Sequence, residues 1–190
     1  MDLQGVVSQM DRNAQAIQSL VAGCSDQQAR WKPDRASWSI LEVINHLLDE
    51  EREDFRARLE LVLYHRDGAW FPIDPQGWVV AREYNQRKLE SSLESFLVAR
   101  AESLAWLRGL VSEATAVSEA TAVSEATAVS EATAAWDVAY QAPFGRMRAG
   151  DILAAWAAHD VLHMRQLVEL KWQYLVEVVK PYKVEYAGEW

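Results

Sequence analysis

The chain has 190 residues, half of them hydrophobic, a formal net charge of −9 and a single cysteine. This length is typical of one domain. No apolar run is as long as a membrane span and no signal peptide is recognisable, so we expect no membrane partner. A lone cysteine fits a reducing compartment, and we therefore expect a cytoplasmic protein. Acidic residues occur along most of the length, and lysines and arginines form no cluster. This charge distribution excludes a nucleic-acid-binding protein that relies on contacts with phosphates.

Hydrophobic spacing predicts the first two helices. Residues 2–22 carry apolar side chains every three or four positions, which predicts an amphipathic helix that Gly23 ends. After a short linker with Trp31 and Trp38, the segment Ser39-Ile-Leu-Glu42 matches a capping box, in which the serine oxygen and the glutamate each bind a free backbone N–H. We therefore expect the second helix to begin there and to run to about Tyr64.

The rest of the chain predicts two further helices and no convincing strand. Residues 65–80 combine glycines and prolines with three aromatic side chains, which is typical of an ordered loop. A third helix is expected over 81–110, and a fourth from near Asp151 into the 170s. The prediction is an all-α fold, a four-helix bundle with long connections.

A tandem repeat interrupts this pattern. The unit Ser-Glu-Ala-Thr-Ala-Val occurs three times from Ser112, and a shortened fourth copy ends at Ala134. Six residues turn a helix by about 600°, so the valines of successive units share no face. We interpret residues 112–134 as a low-complexity expansion in the connection between the third and fourth helices, either helical or mobile.

Two of the four histidines have the spacing of metal ligands. His159 and His163 lie four residues apart in the fourth helix, so both imidazoles share one face, on an otherwise apolar strip. Two hydrogen-bonded core histidines would show the same spacing. For a third ligand the candidates are His46, which lies off the apolar strip of its helix beside several acids, and His65, at a helix end where a solvated histidine is expected.

Four stretches carry a family resemblance: residues 38–49 with His46, Arg100, Phe144-Gly145, and residues 150–166 with the histidine pair. Together they resemble the DinB/YfiT-like superfamily of metalloenzymes along nearly the whole chain. The resemblance implies one domain over 1–190 with up-down-down-up topology, in which His46, His159 and His163 bind a divalent ion. The sequence departs from the family at Arg148, where many relatives have a capping Thr or Ser, and in about 18 added residues of the repeat.

An ion held by three imidazoles keeps coordination positions open, which is typical of catalytic rather than structural sites. Histidine ligation suits several metals, and zinc or nickel is our first expectation. Asp160 and Gln166 are candidates to orient the imidazoles, and Asp49 or Glu50 to act as a fourth ligand or a proton acceptor, although both acids could equally be solvated.

The resemblance further implies a small-molecule substrate and a low-molecular-weight thiol as co-substrate of an S-transferase. Two alternatives stay open: a hydrolase that uses the same site, and a metal-binding stress or interaction protein without turnover. Many relatives form dimers, and nine tryptophans are compatible with a homodimer contact.

Overall fold

The computed structural model describes residues 2–121 and 136–188. Its helices, numbered in chain order, are α1 Leu3–Val21, α2 Asp26–Arg30, α3 Ile40–Glu50, α4 Arg56–Tyr64, α5 Pro75–Ala81, α6 Leu89–Thr121 and α7 Ala149–Val178. A π-helical turn, Glu51–Phe55, joins α3 to α4 without a break, and single 3₁₀ turns cover Tyr84–Gln86 and Glu185–Ala187. Two short strands, β1 Ala139–Ala142 and β2 Gly145–Arg148, complete the structure.

Four long helical segments form the bundle. α1 packs against α6 and α7, and the continuous α3–α4 segment packs against the same two helices from the other side. Two apolar clusters fill the interior: the first core cluster includes Met10, Leu59, Leu107 and Trp156, and the second includes Ile17, Ile44, Phe96 and Leu167. Each cluster draws on all four segments, because the three-and-four spacing of apolar residues keeps one stripe of each helix facing inward.

A buried polar layer separates the two core clusters. Each bundle segment contributes one polar side chain to it: Asn13, Glu51, Arg100 and Asp160, all about 1% exposed or less. The Arg100 guanidinium donates to both oxygens of Asp160 at 2.7 and 2.8 Å and, through Nε, to Glu51 at 2.9 Å. Asn13 donates to Asp160 at 3.2 Å. These contacts stabilise the packing of the four segments, because a buried charge that loses its partner lowers the stability of the fold.

The capping box at the start of α3 is confirmed. The Glu42 backbone N–H donates to Ser39 Oγ at 3.1 Å, and the Ser39 N–H donates to Glu42 Oε2 at 2.8 Å. Every residue of α3 is buried, because α2, α5, α6 and α7 surround the helix. Asp49 and Glu50 are 7% and 4% exposed, so the reading of these acids as solvated is wrong.

The third bundle helix starts later than predicted. Pro75 at the first helical position and Asp74 as its N-cap give residues 75–81 a short helix of their own. Glu83 then takes a left-handed conformation, with φ of 50°, which turns the chain before α6 begins at Leu89. α6 extends beyond the predicted end at residue 110 to Thr121, and the remainder of the repeat, residues 122–134, lies outside the described residues.

The region before the last helix contains a hairpin that the sequence did not predict. β1 and β2 pair antiparallel, with Ala139 opposite Arg148 and a tight turn at Pro143 and Phe144. Four-residue strands are too short to establish an alternating pattern, which is why the sequence predicts no strand here. At the start of α7, Asp151 accepts a hydrogen bond from the Arg148 backbone N–H at 2.9 Å and pairs with the Arg148 guanidinium.

Candidate metal centre

Three imidazoles meet where α3 faces α7. His46 Nε2 lies 3.3 Å from His159 Nε2 and 3.1 Å from His163 Nε2, and the two α7 nitrogens are 3.1 Å apart. His159 and His163 share a face because they are one helical turn apart. His46 reaches them from α3 and is 5% exposed, so its position off the apolar strip corresponds to a buried polar site and not to the surface.

The spacing of these nitrogens fits a metal ion. Two nitrogen ligands at the usual zinc distance in a tetrahedral site are about 3.3 Å apart, close to all three observed separations. Within the described residues, the three histidines are the only set of at least three His, Cys, Asp or Glu side chains close enough to share an ion, and no carboxylate belongs to it. The arrangement therefore supplies three ligand atoms and leaves further coordination positions to other molecules.

The protonation state of the three imidazoles also favours metal binding. Burial, followed by the neighbouring imidazoles, lowers the pKa of His46 to about 2. Burial and the charges of His163 and Arg100 lower the pKa of His159 to about 3, and burial lowers the pKa of His163 as well. All three rings are thus neutral at physiological pH. Neutral imidazoles are the form that binds metal ions, because a lone pair must remain on nitrogen.

Gln166 lies where it can orient His163. Its Oε1 is 2.8 Å from His163 Nδ1, so Nδ1 carries the proton and Nε2 presents its lone pair to the other two imidazoles. This contact is the one expected from a position three residues beyond His163, one turn along α7.

Glu50 faces the corresponding atom of His46. His46 Nδ1 and Glu50 Oε1 lie 3.9 Å apart, and both are buried without a hydrogen-bond partner. Burial, then a hydrogen bond with Asp54 and the charge of that residue, raise the pKa of Glu50 to about 8. A small approach of the two side chains would give His46 the same kind of Nδ1 hydrogen bond that Gln166 gives His163.

The other acids proposed for the site have different partners. Asp49 accepts hydrogen bonds from the Tyr84 hydroxyl and from the Arg82 guanidinium, which holds the segment after α5 against α3. The hydrogen bonds of Asp160 go to Arg100 and Asn13 in the buried polar layer. His65, the remaining histidine, ends α4 on the surface and lies outside the cluster.

An open cleft leads to the three imidazoles. Its volume is about 480 Å³, and His46 and His163 form part of its wall. Trp38 lines the cleft with its ring nearly parallel to that of His163, at an interplanar angle of 5° and a centroid separation of 6.4 Å. Pro75 and Gln76, at the start of α5, complete one side of the cleft.

Sequence reasoning missed several residues of the cleft wall. Glu169 and Gln173 line it together with Gln166, and all three lie on α7 beyond His163. Extending the His159–His163 stripe at helical spacing reaches positions 166, 170 and 173, so this signal was present in the sequence. Trp38 could not be assigned to the cleft from sequence, because nothing in its local sequence separates a cleft tryptophan from a core one.

Comparison with known proteins agrees with this architecture. The family model of the DinB superfamily matches residues 9–167. The chain is similar to YfiT from Bacillus subtilis, described as a probable metal-dependent hydrolase with an unusual four-helix bundle topology, with a TM-score of 0.69 and 15% identity over 90% of this chain and 87% of that one. The predicted four-helix bundle is thereby confirmed. A search of curated protein sequences finds no match.

None of the helices in residues 2–121 and 136–188 has the combination of length and apolar composition needed to span a bilayer.

Proposed function

The chain belongs to the DinB superfamily, and from this premise we propose that it is a metal-dependent enzyme whose divalent ion is held by His46, His159 and His163. The supporting observation is the triangle of neutral, buried imidazoles with Nε2 separations of 3.1–3.3 Å beside an open cleft. Our preferred reaction is the transfer of a low-molecular-weight thiol to a small electrophilic substrate. The thiol is suggested by the family resemblance, and the cleft volume of about 480 Å³ suits molecules of that size.

A divalent ion in this position would act as a Lewis acid and would lower the pKa of a thiol or water molecule bound beside it. The protein contributes three uncharged nitrogens, so the charge of the ion is not neutralised by its protein ligands. Trp38 and Pro75 form apolar parts of the cleft wall beside the imidazoles.

Gln166 and Glu50 have supporting roles in this proposal. Gln166 fixes the tautomer of His163 through Nδ1, and Glu50 stands opposite Nδ1 of His46. Of the two acids expected near the site, Glu50 is the better candidate to orient His46 through Nδ1, because both Tyr84 and Arg82 already donate to Asp49. Asp49 then serves to hold the neighbouring chain segment in place, and Asp160 to position α7 through Arg100.

We expect Gln166→Ala to weaken metal binding by about tenfold to a hundredfold, the usual cost of removing the partner of a metal-binding imidazole. Without this contact His163 is free to rotate or to change tautomer. Competition with a chromophoric chelator measures the affinity. Gln173→Ala, on the same helix face but without an imidazole contact, is the control and should retain the parent affinity; equal affinities of all three proteins would contradict the assigned role.

Removal of the metal should abolish thiol transfer. With a chloronitroaromatic electrophile and a small thiol, we expect chelator treatment to lower kcat/KM by about a hundredfold or more, because Lewis-acid stabilisation contributes several kcal/mol to such reactions. Activity should return when zinc or nickel is added back. Absorbance of the conjugate, corrected for the uncatalysed reaction, gives the rate.

The same preparation distinguishes the alternatives. Metal-dependent cleavage of activated esters without any need for thiol would favour a hydrolase, which the description of YfiT supports. Full metal loading without turnover of either kind would favour a metal-binding stress or interaction protein.

We propose zinc or nickel as the ion, since both accept histidine-rich ligation, and a cytoplasmic location with no nucleic-acid partner, in keeping with a net charge of −9. We also propose a homodimer. Three large apolar side chains on one side of α7 are about half exposed and would be covered by a second copy: Val161, Leu175 and Val178.

A further inference from the structure

Four ionisable residues at intervals of four lie buried along the continuous α3–α4 segment: His46, Glu50, Asp54 and Arg58, each 8% exposed or less. In an uninterrupted α-helix Arg58 would lie about 120° around the axis from His46, because twelve residues turn by about 1200°. The π-helical turn Glu51–Phe55 adds one residue without advancing the helical register, so Arg58 lies within about 20° of His46 instead. The turn therefore places the four side chains on one stripe, the buried polar row.

Neighbouring members of the buried polar row are in contact. Arg58 Nε donates to Asp54 Oδ1. A hydrogen bond joins the carboxyl groups of Asp54 and Glu50. Glu50 Oε1 in turn faces His46 Nδ1 at 3.9 Å, and a shift of about 1 Å brings this pair to hydrogen-bond distance. The row thus leads from a guanidinium to the imidazole that α3 contributes to the cluster.

Three atoms of the row are buried without a hydrogen-bond partner in the described residues: His46 Nδ1, Glu50 Oε1 and Arg58 Nη1. Buried polar atoms are nearly always paired, because an unpaired one lowers the stability of the fold. A row that served stability alone would pair these atoms. Their position beside the imidazole cluster indicates that the row is retained for the site.

The guanidinium of Arg58 is held in place at the end of the row remote from the imidazoles. It lies over the ring of Trp70, with 4.1 Å to the centroid, and over the ring of Phe71 at 4.8 Å. Nη2 donates to the Phe71 carbonyl oxygen at 3.3 Å. These contacts fix the planar group in one orientation, in which Nε is directed at Asp54.

We propose that Arg58 is a positioning residue of the metal centre, which acts on His46 through the two acids of the row. Arg58 orients Asp54, and Asp54 in turn fixes the carboxyl group of Glu50. Glu50 Oε1 then keeps the proton of His46 on Nδ1, so that Nε2 retains its lone pair for the ion. The effect on metal binding rests on the proposed function, whereas the control of the His46 tautomer rests on the row alone.

Arg58→Met is expected to weaken metal binding by about fivefold to tenfold, less than removal of a direct imidazole partner, because the effect passes through two further side chains. A competing chromophoric chelator reports the affinity. Arg56→Met is the matched control: Arg56 pairs with Glu60 and lies over Trp106, outside the row, so this variant should keep the parent affinity. Arg58→Lys retains a cation beside Asp54 and should recover the affinity to within about threefold of the parent.

A double-mutant cycle distinguishes positioning from general destabilisation. Glu50→Ala removes the last link to His46, so the addition of Arg58→Met should weaken metal binding by no more than about twofold further. Additive losses would overturn the inference. Because Arg58→Met alone leaves Asp54 buried without its cation, Asp54→Leu combined with Arg58→Met is measured as well. Hydrophobic replacement of a buried ion pair is typically tolerated, and this variant should show the same loss of about fivefold to tenfold. The parent affinity in this variant would also overturn the inference.

The tautomer of His46 gives a readout that does not need the metal. Long-range ¹H–¹⁵N spectra of metal-free protein labelled with ¹⁵N-histidine distinguish Nδ1–H from Nε2–H rings, and His46→Ala assigns the signals. We expect the Nδ1–H form of His46 in the parent and in Arg56→Met, and a mixture of both forms in Arg58→Met and in the combined variant.

This readout also separates the inference from the proposed function. An unchanged His46 tautomer in both Arg58 variants rejects the inference even if the three histidines bind a metal ion. If the tautomer changes as expected but no metal binds at the cluster, the proposed function is wrong and the control of His46 by the row stands.

Discussion

His46→Ala is expected to abolish stoichiometric metal binding. Four-ligand zinc sites in small peptides bind with roughly 10–16 kcal/mol, so the loss of one ligand costs about 3 kcal/mol, or more than a hundredfold in affinity. The effect should be at least this large here because His46 is the one ligand from α3, and without it the ion would be held by α7 alone. Metal content of tag-free protein after dialysis, measured by mass spectrometry, tests the expectation.

The chain offers a matched control in its fourth histidine. His65→Ala removes an imidazole from the surface end of α4, away from the cluster, and should keep a full equivalent of metal. His163→Ala should behave as His46→Ala does. If His46→Ala and His163→Ala retained the metal of the parent protein, the three-histidine site would be wrong.

Arg100→Met should be the most destabilising change in the bundle. Methionine keeps an apolar stem of similar length but leaves the carboxylates of Asp160 and Glu51 buried without their cation. Breaking a buried ion pair by removing one partner typically costs about 3–5 kcal/mol. The free energy of unfolding, from urea denaturation of metal-free protein, should fall by about this amount.

Arg108→Met provides the comparison for this change. Arg108 is also on α6 and pairs with Asp11 at 2.7 Å, but the two side chains are 56% and 41% exposed. Exposed pairs contribute at most about 1 kcal/mol, so this variant should be nearly as stable as the parent. Arg100→Lys, which keeps the charge but cannot reach both acids with bidentate geometry, should fall between the two. Similar losses for Arg100→Met and Arg108→Met would contradict the buried polar layer as a source of stability.

The bundle and its histidine pair could be predicted from sequence because both depend on helical periodicity. Apolar residues at three-and-four spacing identify the inward faces, and the same spacing places His159 and His163 on one face. The capping box fixed the start of α3 for a similarly local reason, since Ser39 and Glu42 act on backbone groups three residues apart.

The features that could not be predicted from the sequence depend mostly on contacts between segments that are distant in the chain. A histidine off the apolar strip, such as His46, could lie in a cleft or on the surface, and only its contacts with α7 decide between the two. The π-helical turn Glu51–Phe55 lies in a run of charged residues, where no apolar spacing reveals a change of helical pitch. The roles of Asp49 and Asp160 depended on Arg82, Tyr84 and Arg100, which are 33 to 60 residues away in sequence.

The distance between the repeat and the histidine site affects how the sequence of this protein can change in evolution. The repeat begins within the last part of α6, beyond the residues of the first core cluster, and Thr121 is about 30 Å along the helix from Arg100, the residue level with the α7 histidines. Repeat units can therefore be gained or lost by replication slippage while the imidazoles and their cleft stay the same. Copy number and chemistry can evolve as independent characters in this chain, each open to selection without disturbing the other.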